Sequence, residues 1–302
     1  MSTLFIGLGR MGAPMVRHYA RRHPVLLHDA DRGIAQTVAA DLDGRVIGDL
    51  SRSEALRDID VTIMMLPSST VVEAVLTTPG ELLTRLPHGG LIIDMGSSEP
   101  ASTLTLAATA AERGIGYVDA PVSGGVAKAV SGQLSILVGG RPPDVERAQE
   151  HLTPMGTPMV VGTPGSGHAV KALNNLLSAT NIAAAAEVIG VAAKFGVEPK
   201  VMVSALNAST GRSQASEVKY PNHILTGHYD SAFAMDLMLK DLAIAHRLAK
   251  AQGAQTPIAD TTVRVARQAA DHLDGDGLDH TELARLYEQL NGFSFTPPPP
   301  PD

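Results

Sequence analysis

Lys171, Asn175 and Ser178 stand four and three residues apart in an apolar stretch, so on a helix they share one face. A lysine in that setting either stands in solvent beside a helix cap or points into a polar cleft. In the cleft its ammonium form is disfavoured by desolvation, which suits the amine to proton transfer. Near the start of the chain, Gly7-Leu8-Gly9-Arg10-Met11-Gly12 spells G-x-G-x-x-G between a β-prone run, Thr3–Ile6, and a helix-prone one, 13–21. There Gly7 permits a tight turn, Gly9 lets the backbone approach a pyrophosphate, and Gly12 allows a helix to pack close to a strand. The helix N–H groups and positive dipole end then face the phosphates. Asp29 closes the second β-prone run, 17 residues after Gly12. A carboxylate at that point accepts hydrogen bonds from an adenosine ribose and repels the extra phosphate of NADP. NAD is therefore the expected cofactor, with NADP left possible by Arg32; Asp29 or Asp31 would equally suit a helix cap. Ser123-Gly124-Gly125 follows another β-prone run and offers a hydroxyl and close backbone N–H groups to a carboxylate, or is simply a flexible loop.

These residues need elements to hold them. Up to residue 162 the chain alternates short β-prone runs (4–6, 25–28, 61–66, 91–94, 116–119, 134–138 and 159–161) with helical stretches such as 102–112 and 144–151. That alternation predicts a Rossmann-type, doubly wound, mostly parallel α/β sheet, whose ligands sit beyond the carboxyl ends of its strands. After Gly162 no strand-like run appears. Residues 167–195 read as one helix roughly 43 Å long, followed by helices over about 199–207, 235–251, 258–270 and 280–290. The expected organisation is a dinucleotide-binding domain over 1–162, an all-helical domain over 163–292 and a disordered proline-rich tail over 293–302. From Ala172 to Ala193 the long helix carries one ionisable residue, Glu187, but Asn174, Asn175, Ser178, Thr180 and Asn181 interrupt it. It is read as a core helix and not as a membrane span.

Composition narrows the classes further. In 302 residues apolar content is 44%, charged content 18% and formal charge −7, with no lysine/arginine run; nucleic acid is not expected as a partner. Cysteine is absent, which removes disulfides, thiolate nucleophiles and cysteine–metal sites from the chemistry. The eleven histidines are scattered without an H-x-H or H-E-x-x-H, so no metal is expected. His168, one turn before Lys171, is expected at the helix surface. With the first β-prone run at about Thr3, no signal peptide is expected and a cytoplasmic location follows by default. The apolar faces of the helical part point to a homodimer or homotetramer.

Taken together, F-I-G-L-G-R-M-G-A-P-M at 5–15, M-L-P at 65–67, D-A-P-V-S-G-G at 119–125, G-x-x-x-K-x-x-N-N at 167–175 and K-D-L at 240–242 resemble the β-hydroxyacid dehydrogenase family, in particular its 3-hydroxyisobutyrate dehydrogenase-like members. The resemblance runs from about Thr3 to Leu290. It implies hydride exchange between a nicotinamide and a 3-hydroxy acid or its semialdehyde. It further implies that Lys171 is the catalytic acid/base, that Asn175 orients the substrate, and that Ser123, Gly124 and Gly125 bind its carboxylate. Leu66 and Pro67 would line the cofactor, and Lys240 and Asp241 would close over the site and join the cofactor contacts. Phe233 stands where relatives place an apolar wall against substrate; a core phenylalanine is the equal alternative. The family's D-x-S-T is Asp94-Met95-Gly96-Ser97-Ser98 here, so Ser97 keeps the hydroxyl near the nicotinamide and loses a methyl. No arginine cluster announces a phosphorylated substrate, and residues 207–213 receive no role. Two rival readings remain: an NADPH-dependent reductase of semialdehydes or imines on the same fold, and a non-catalytic dinucleotide-binding protein. Lys171 counts against two of these, since such imine reductases generally lack it and a relic binder would be expected to have lost it or Asn175, whereas a semialdehyde reductase would keep every motif.

Overall fold

The computed structural model describes residues 2–42, 44–78, 82–273 and 277–296. It divides into two compact units, Met1–Lys171 and Ala172–Asp302.

In the first unit, nine strands form one sheet: β1 (Thr3–Ile6), β2 (Val25–His28), β3 (Arg45–Val46), β4 (Val61–Met64), β5 (Leu91–Asp94), β6 (Gly116–Asp119), β7 (Val122–Ser123), β8 (Leu134–Gly140) and β9 (Gly156–Gly162). Between them run α1 (Gly12–Tyr19), α2 (Arg32–Leu42), α3 (Ser69–Thr77), α4 (Leu82–Arg85), α5 (Pro100–Glu112), α6 (Gly125–Ser131) and α7 (Pro142–Leu152). The order is β3-β2-β1-β4-β5-β6-β8-β7, with β9 on β8. The first six positions are parallel throughout, and β8 runs antiparallel to β6 and β7. Side chains alternate between the two faces: Leu4, Ile6 and Ile92 enter one core cluster, Phe5, Leu91 and Ile93 the other. A sheet buried on both faces reads as continuous apolar runs, which is why its strands stand out in the sequence. The chain leaves β1 toward β2 and returns on its other side as β4, so the crevice at the carboxyl ends of β1 and β4 is the topological switch point.

The differences from expectation have local causes. β4 ends at Met64, not 66, because its neighbour β1 ends at Ile6, where the chain turns away at Gly7 with φ +92°. β3 and β7 are two residues each, too short to show a period.

In the second unit the elements are α9 (Pro199–Asn207), a π-helix (Ala215–Ile224), α10 (Met235–Ala251), α11 (Pro257–His272) and α12 (Leu283–Asn291). The preceding helix, α8 (Ser166–Phe195), is called the long helix. No strand is assigned among the described residues of this unit; Ala234 and Asp279 form an isolated bridge. The π-helix was not anticipated. It contains Pro221, which lacks an N–H and in an α-helix clashes with the carbonyl four residues back; the wider spacing accommodates it. Tyr220 then donates from its hydroxyl to the Ile182 carbonyl at 2.8 Å.

The expected division at 162 precedes the long helix, whereas the two compact units meet in sequence at Lys171, inside that helix, whose first turn is bonded to the sheet through Asp119. The tail does not begin at 293: Phe295 is 2% exposed and stacks edge-on with Tyr220 and Phe293, at 5.7 and 4.8 Å between ring centroids. Residues 297–302, the proline run of that tail, lie outside the described residues. The long helix is long and apolar enough to cross a membrane by length and composition, but Ala179, Ile182, Ala186 and Ile189 on it are core residues of the second unit.

Candidate active site

The glycine loop opens directly onto the switch point. Gly7 has φ +92°, and a Cβ there would lie 2.3 Å from the Met65 carbonyl oxygen. A Cβ on Gly12 would lie 1.9 Å from the Gly7 carbonyl, whereas one on Gly9 would meet nothing within 4 Å. Two glycines are thus demanded by the protein's own packing, and the third leaves open space at the amino end of α1, where a pyrophosphate must approach. Asp29, at the end of β2, takes the Leu8 N–H on Oδ2 at 2.6 Å and the Asp31 N–H on Oδ1 at 2.8 Å. Each oxygen keeps a lone pair for a ribose hydroxyl, since a carboxylate has about four acceptor positions. The cap of α2 falls to Asp31, which takes the N–H groups of Gly33 and Ile34. Leu66 packs its side chain within 3.2 Å of a Gly7 Cβ position, and a Cβ on Gly96 would meet the Leu66 carbonyl at 2.6 Å. Leu66 therefore borders the glycine loop, and Pro67 and Ser97 follow Leu66 and Gly96 on the connections leaving β4 and β5. Arg10 and Arg32 are exposed and Met11 half-buried. This set of residues fits a dinucleotide.

Ser123 ends β7 opposite Ser135, and Gly124 and Gly125 follow with φ +124° and +68°. Side chains would be strained at both, so the loop presents bare backbone. The Lys128 stem lies over Gly124, 2.4 Å from where a Cβ would be. The sequence reading did not select that cation.

Lys171 is half-buried near the start of the long helix. A distant side chain holds this end. The Asp119 carboxylate, at the carboxyl end of β6, accepts the N–H groups of Gly165 at 2.8 Å and His168 at 3.0 Å. Burial pushes the Asp119 carboxyl up, against the attraction of His168 and these backbone donors. One turn beyond Lys171, within the second unit, the amide of Asn175 donates to Asp241 Oδ2 at 2.6 Å. Asp241 is 2% exposed, with Lys240 Nζ 3.7 Å from its other oxygen. Asp241 thus orients Asn175, a partnership that the resemblance does not single out.

Phe233 is half-buried against His280, edge-on at 5.1 Å, and packs on the core of its unit. Its loop is strained, with Tyr229 at φ +47° and Ala232 at φ +64°. Asp279 holds the loop: it takes Ser231 Oγ at 2.8 and 3.0 Å and the Phe233 N–H at 3.2 Å. Burial alone would raise the Asp279 carboxyl, but donors from His280, Thr281 and Ser231 outweigh it and hold it well below the usual range. Burial pushes the His280 imidazole below its ordinary value, opposed by Asp279. The unassigned stretch 207–213 has a structural role. Asn207 donates to the Ser216 carbonyl, and Ser213 and Ser216 exchange hydrogen bonds at the start of the π-helix.

The NAD-binding domain of 6-phosphogluconate dehydrogenase, as a family profile, matches residues 3–163, and the NAD-binding profile of NADP-dependent 3-hydroxyisobutyrate dehydrogenase matches 165–287. The 2-(hydroxymethyl)glutarate dehydrogenase of Eubacterium barkeri is 36% identical over 97% of this chain and 96% of its own. Mycobacterium tuberculosis 3-hydroxyisobutyrate dehydrogenase, solved with L-serine, is 30% identical with a TM-score of 0.86, covering 94% of this chain and 98% of that one.

The chain belongs to the 3-hydroxyisobutyrate dehydrogenase family. As a member it is a nicotinamide-dependent hydroxyacid dehydrogenase. A further solved neighbour, Psf3 in complex with NADP+ and 2-OPP, is 28% identical with a TM-score of 0.79, over 94% of this chain and 99% of that one. Within this 3-hydroxyisobutyrate dehydrogenase-family chain, sequence reasoning missed the two buried aspartates that end β5 and β6. It also misplaced His168, which is 1% exposed and not on the helix surface. The available signal was a carboxylate closing an apolar strand, a placement seldom made without a partner.

Proposed function

We propose that this enzyme oxidises a small 3-hydroxy acid, or reduces the matching semialdehyde, with NAD preferred and without a metal. The observation that carries the reading is the pair Lys171 and Asn175, one turn apart on the long helix, with Asn175 fixed by buried Asp241. The substrates named for the relatives, 3-hydroxyisobutyrate and 2-(hydroxymethyl)glutarate, both carry a hydroxymethyl group on the carbon next to a carboxylate. That arrangement suits a basic lysine for the hydroxyl and a Ser-Gly-Gly loop for the carboxylate.

When bound, the nicotinamide supplies the hydride acceptor or donor. In oxidation Lys171 takes the hydroxyl proton as the C–H bond breaks; in reduction its ammonium protonates the forming alkoxide. Asn175, its amide pinned on one side by Asp241, uses its remaining N–H to orient the reacting oxygen. Ser123 Oγ and the N–H groups of Gly124 and Gly125 hold the carboxylate, and Phe233 is the apolar wall. Leu66, Pro67 and Ser97 line the cofactor beside the glycine loop, with Lys240 contributing charge next to Asp241. Exposed apolar residues on the long helix, Leu177, Val188, Val191 and Phe195, favour a homodimer or homotetramer. The absence of cysteine suits a cytoplasmic location.

The test is nicotinamide absorbance against a panel of 3-hydroxy acids and semialdehydes, with NAD(H) and NADP(H), for the wild type and Lys171→Ala. The expected result is turnover of one semialdehyde with NADH and a fall of at least about 10²-fold in the variant, the low end for general acid–base catalysis. Undiminished turnover in Lys171→Ala overturns the mechanism.

A further inference from the structure

Three of the groups assigned above hang from one buried node in the first unit. Asp94 and Asp119 are register partners at the carboxyl ends of β5 and β6, and both side chains are fully buried. Asp94 receives the Gly96 N–H on one oxygen, and Ser98 Oγ and the Tyr117 hydroxyl on the other, at 3.0, 3.0 and 3.3 Å. Asp119 receives two N–H groups from the start of the long helix. The His168 imidazole lies between them, with Nε2 3.8 Å from Asp94 Oδ2 and Nδ1 3.9 Å from Asp119 Oδ2. Its hydrogen bond runs elsewhere, from Nδ1 to Thr103 Oγ1 on α5 at 2.8 Å. Thr103 donates its own hydroxyl hydrogen to the Glu99 carbonyl, so its oxygen is the acceptor and Nδ1 carries the proton. Nε2 is buried, has no hydrogen-bond partner and faces a carboxylate.

The node sits three residues before Ser97, four before Ser123 and three before Lys171. We propose that His168 is a positioning residue: its ring, bonded to Thr103 on α5 and packed between the carboxylates that end β5 and β6, seats the first turn of the long helix against both strand ends and so sets the mutual geometry of Ser97, Ser123 and Lys171. Neither glycine-loop binding nor Asp29 belongs to the node. Loss of the imidazole is therefore chiefly a loss of alignment, with the glycine-loop and Asp29 contacts to the cofactor kept. The inference rests on the roles given above to those three residues.

The experiment compares His168→Leu with His168→Gln, whose amide still has a donor for Thr103. Three readouts are taken: kcat, KM for NADH, and the resonance of 13C-dimethylated Lys171, assigned with Lys171→Arg. In His168→Leu we expect kcat to fall about ten- to a hundredfold, the scale of a misplacement near 1 Å, while KM for NADH stays within about twofold of wild type. The Lys171 resonance should move or broaden, the other lysines should not, and His168→Gln should recover most of both signals. If His168→Leu does not fold, Thr103→Val removes the ring's acceptor at constant volume and carries the same expectation. Unchanged kcat, an unmoved Lys171 resonance in a folded variant, or failure of His168→Gln to recover either signal overturns the proposal. Wild-type protein without turnover on the panel, with a Lys171 resonance that still answers to His168, would instead count against the assigned reaction and leave the node standing.

Discussion

At the scale of single residues, the choice between NAD and NADP rests on Asp29. Its two oxygens already hold the Leu8 and Asp31 N–H groups, which fixes the carboxylate at the mouth of the glycine loop and leaves a lone pair on each oxygen. A 2′-phosphate would meet that charge at close range, with Arg32 exposed three residues away as a cation set against it. Replacing Asp29 with Ser is expected to raise KM for NADH about tenfold or more, the loss of one charge-assisted hydrogen bond, and to lower that for NADPH. Steady-state kinetics with both cofactors checks it; unchanged preference would remove Asp29 from the selector role. The glycine loop and Asp29 were legible because local spacing carries them. Lys171 became legible only with the family motifs, because its environment depends on a carboxylate about fifty residues earlier in the chain.

Among elements, the long helix illustrates what sequence can and cannot give. Its existence and extent follow from composition, and its observed bounds differ from expectation by one residue. Its anchoring does not: Asp119 lies 46 residues before Gly165. The same holds for Asn175, whose partner Asp241 is 66 residues away on α10. Asp241→Ala leaves the Asn175 amide free to turn. A hydrogen bond to a charged group is worth roughly 1.5–3 kcal/mol, so kcat/KM for the hydroxy acid should fall about ten- to a hundredfold. NADH affinity measured by fluorescence titration should hold. An equal loss in both would mean that Asp241 contacts the cofactor after all. The π-helix escaped because no local propensity specifies it, although Pro221 marked the place where an ordinary helix could not continue.

For the molecule as a whole, acid and association are the two levers. The folded-state values of Asp279 and His280 are both depressed, so both groups contribute stability that is present above their unfolded values and lost as pH falls through the folded ones. The His280 loss begins below about 6.5 and the Asp279 loss below about 4, their unfolded values. Asp119 has the opposite sign: its raised carboxyl favours folding at acid pH, and that contribution is lost as pH rises through its folded value. Melting temperature should therefore decline between neutral pH and about 5, and His280→Gln should flatten that decline relative to wild type. Parallel curves would show that His280 does not titrate on unfolding. Association is tested by gel filtration, where a single 31.5 kDa species would sink the homo-oligomer expected from the apolar stripe of the long helix.

The contact between Gly12 and the Gly7 carbonyl, with the φ of Gly7, also bears on how the gene can vary. Every other encoded amino acid brings a Cβ, which at either site must displace a backbone carbonyl. All glycine codons share their first two bases and differ only in the third. At these two codons, drift is confined to synonymous third-base changes, and each missense allele begins as a damaged nucleotide-binding loop.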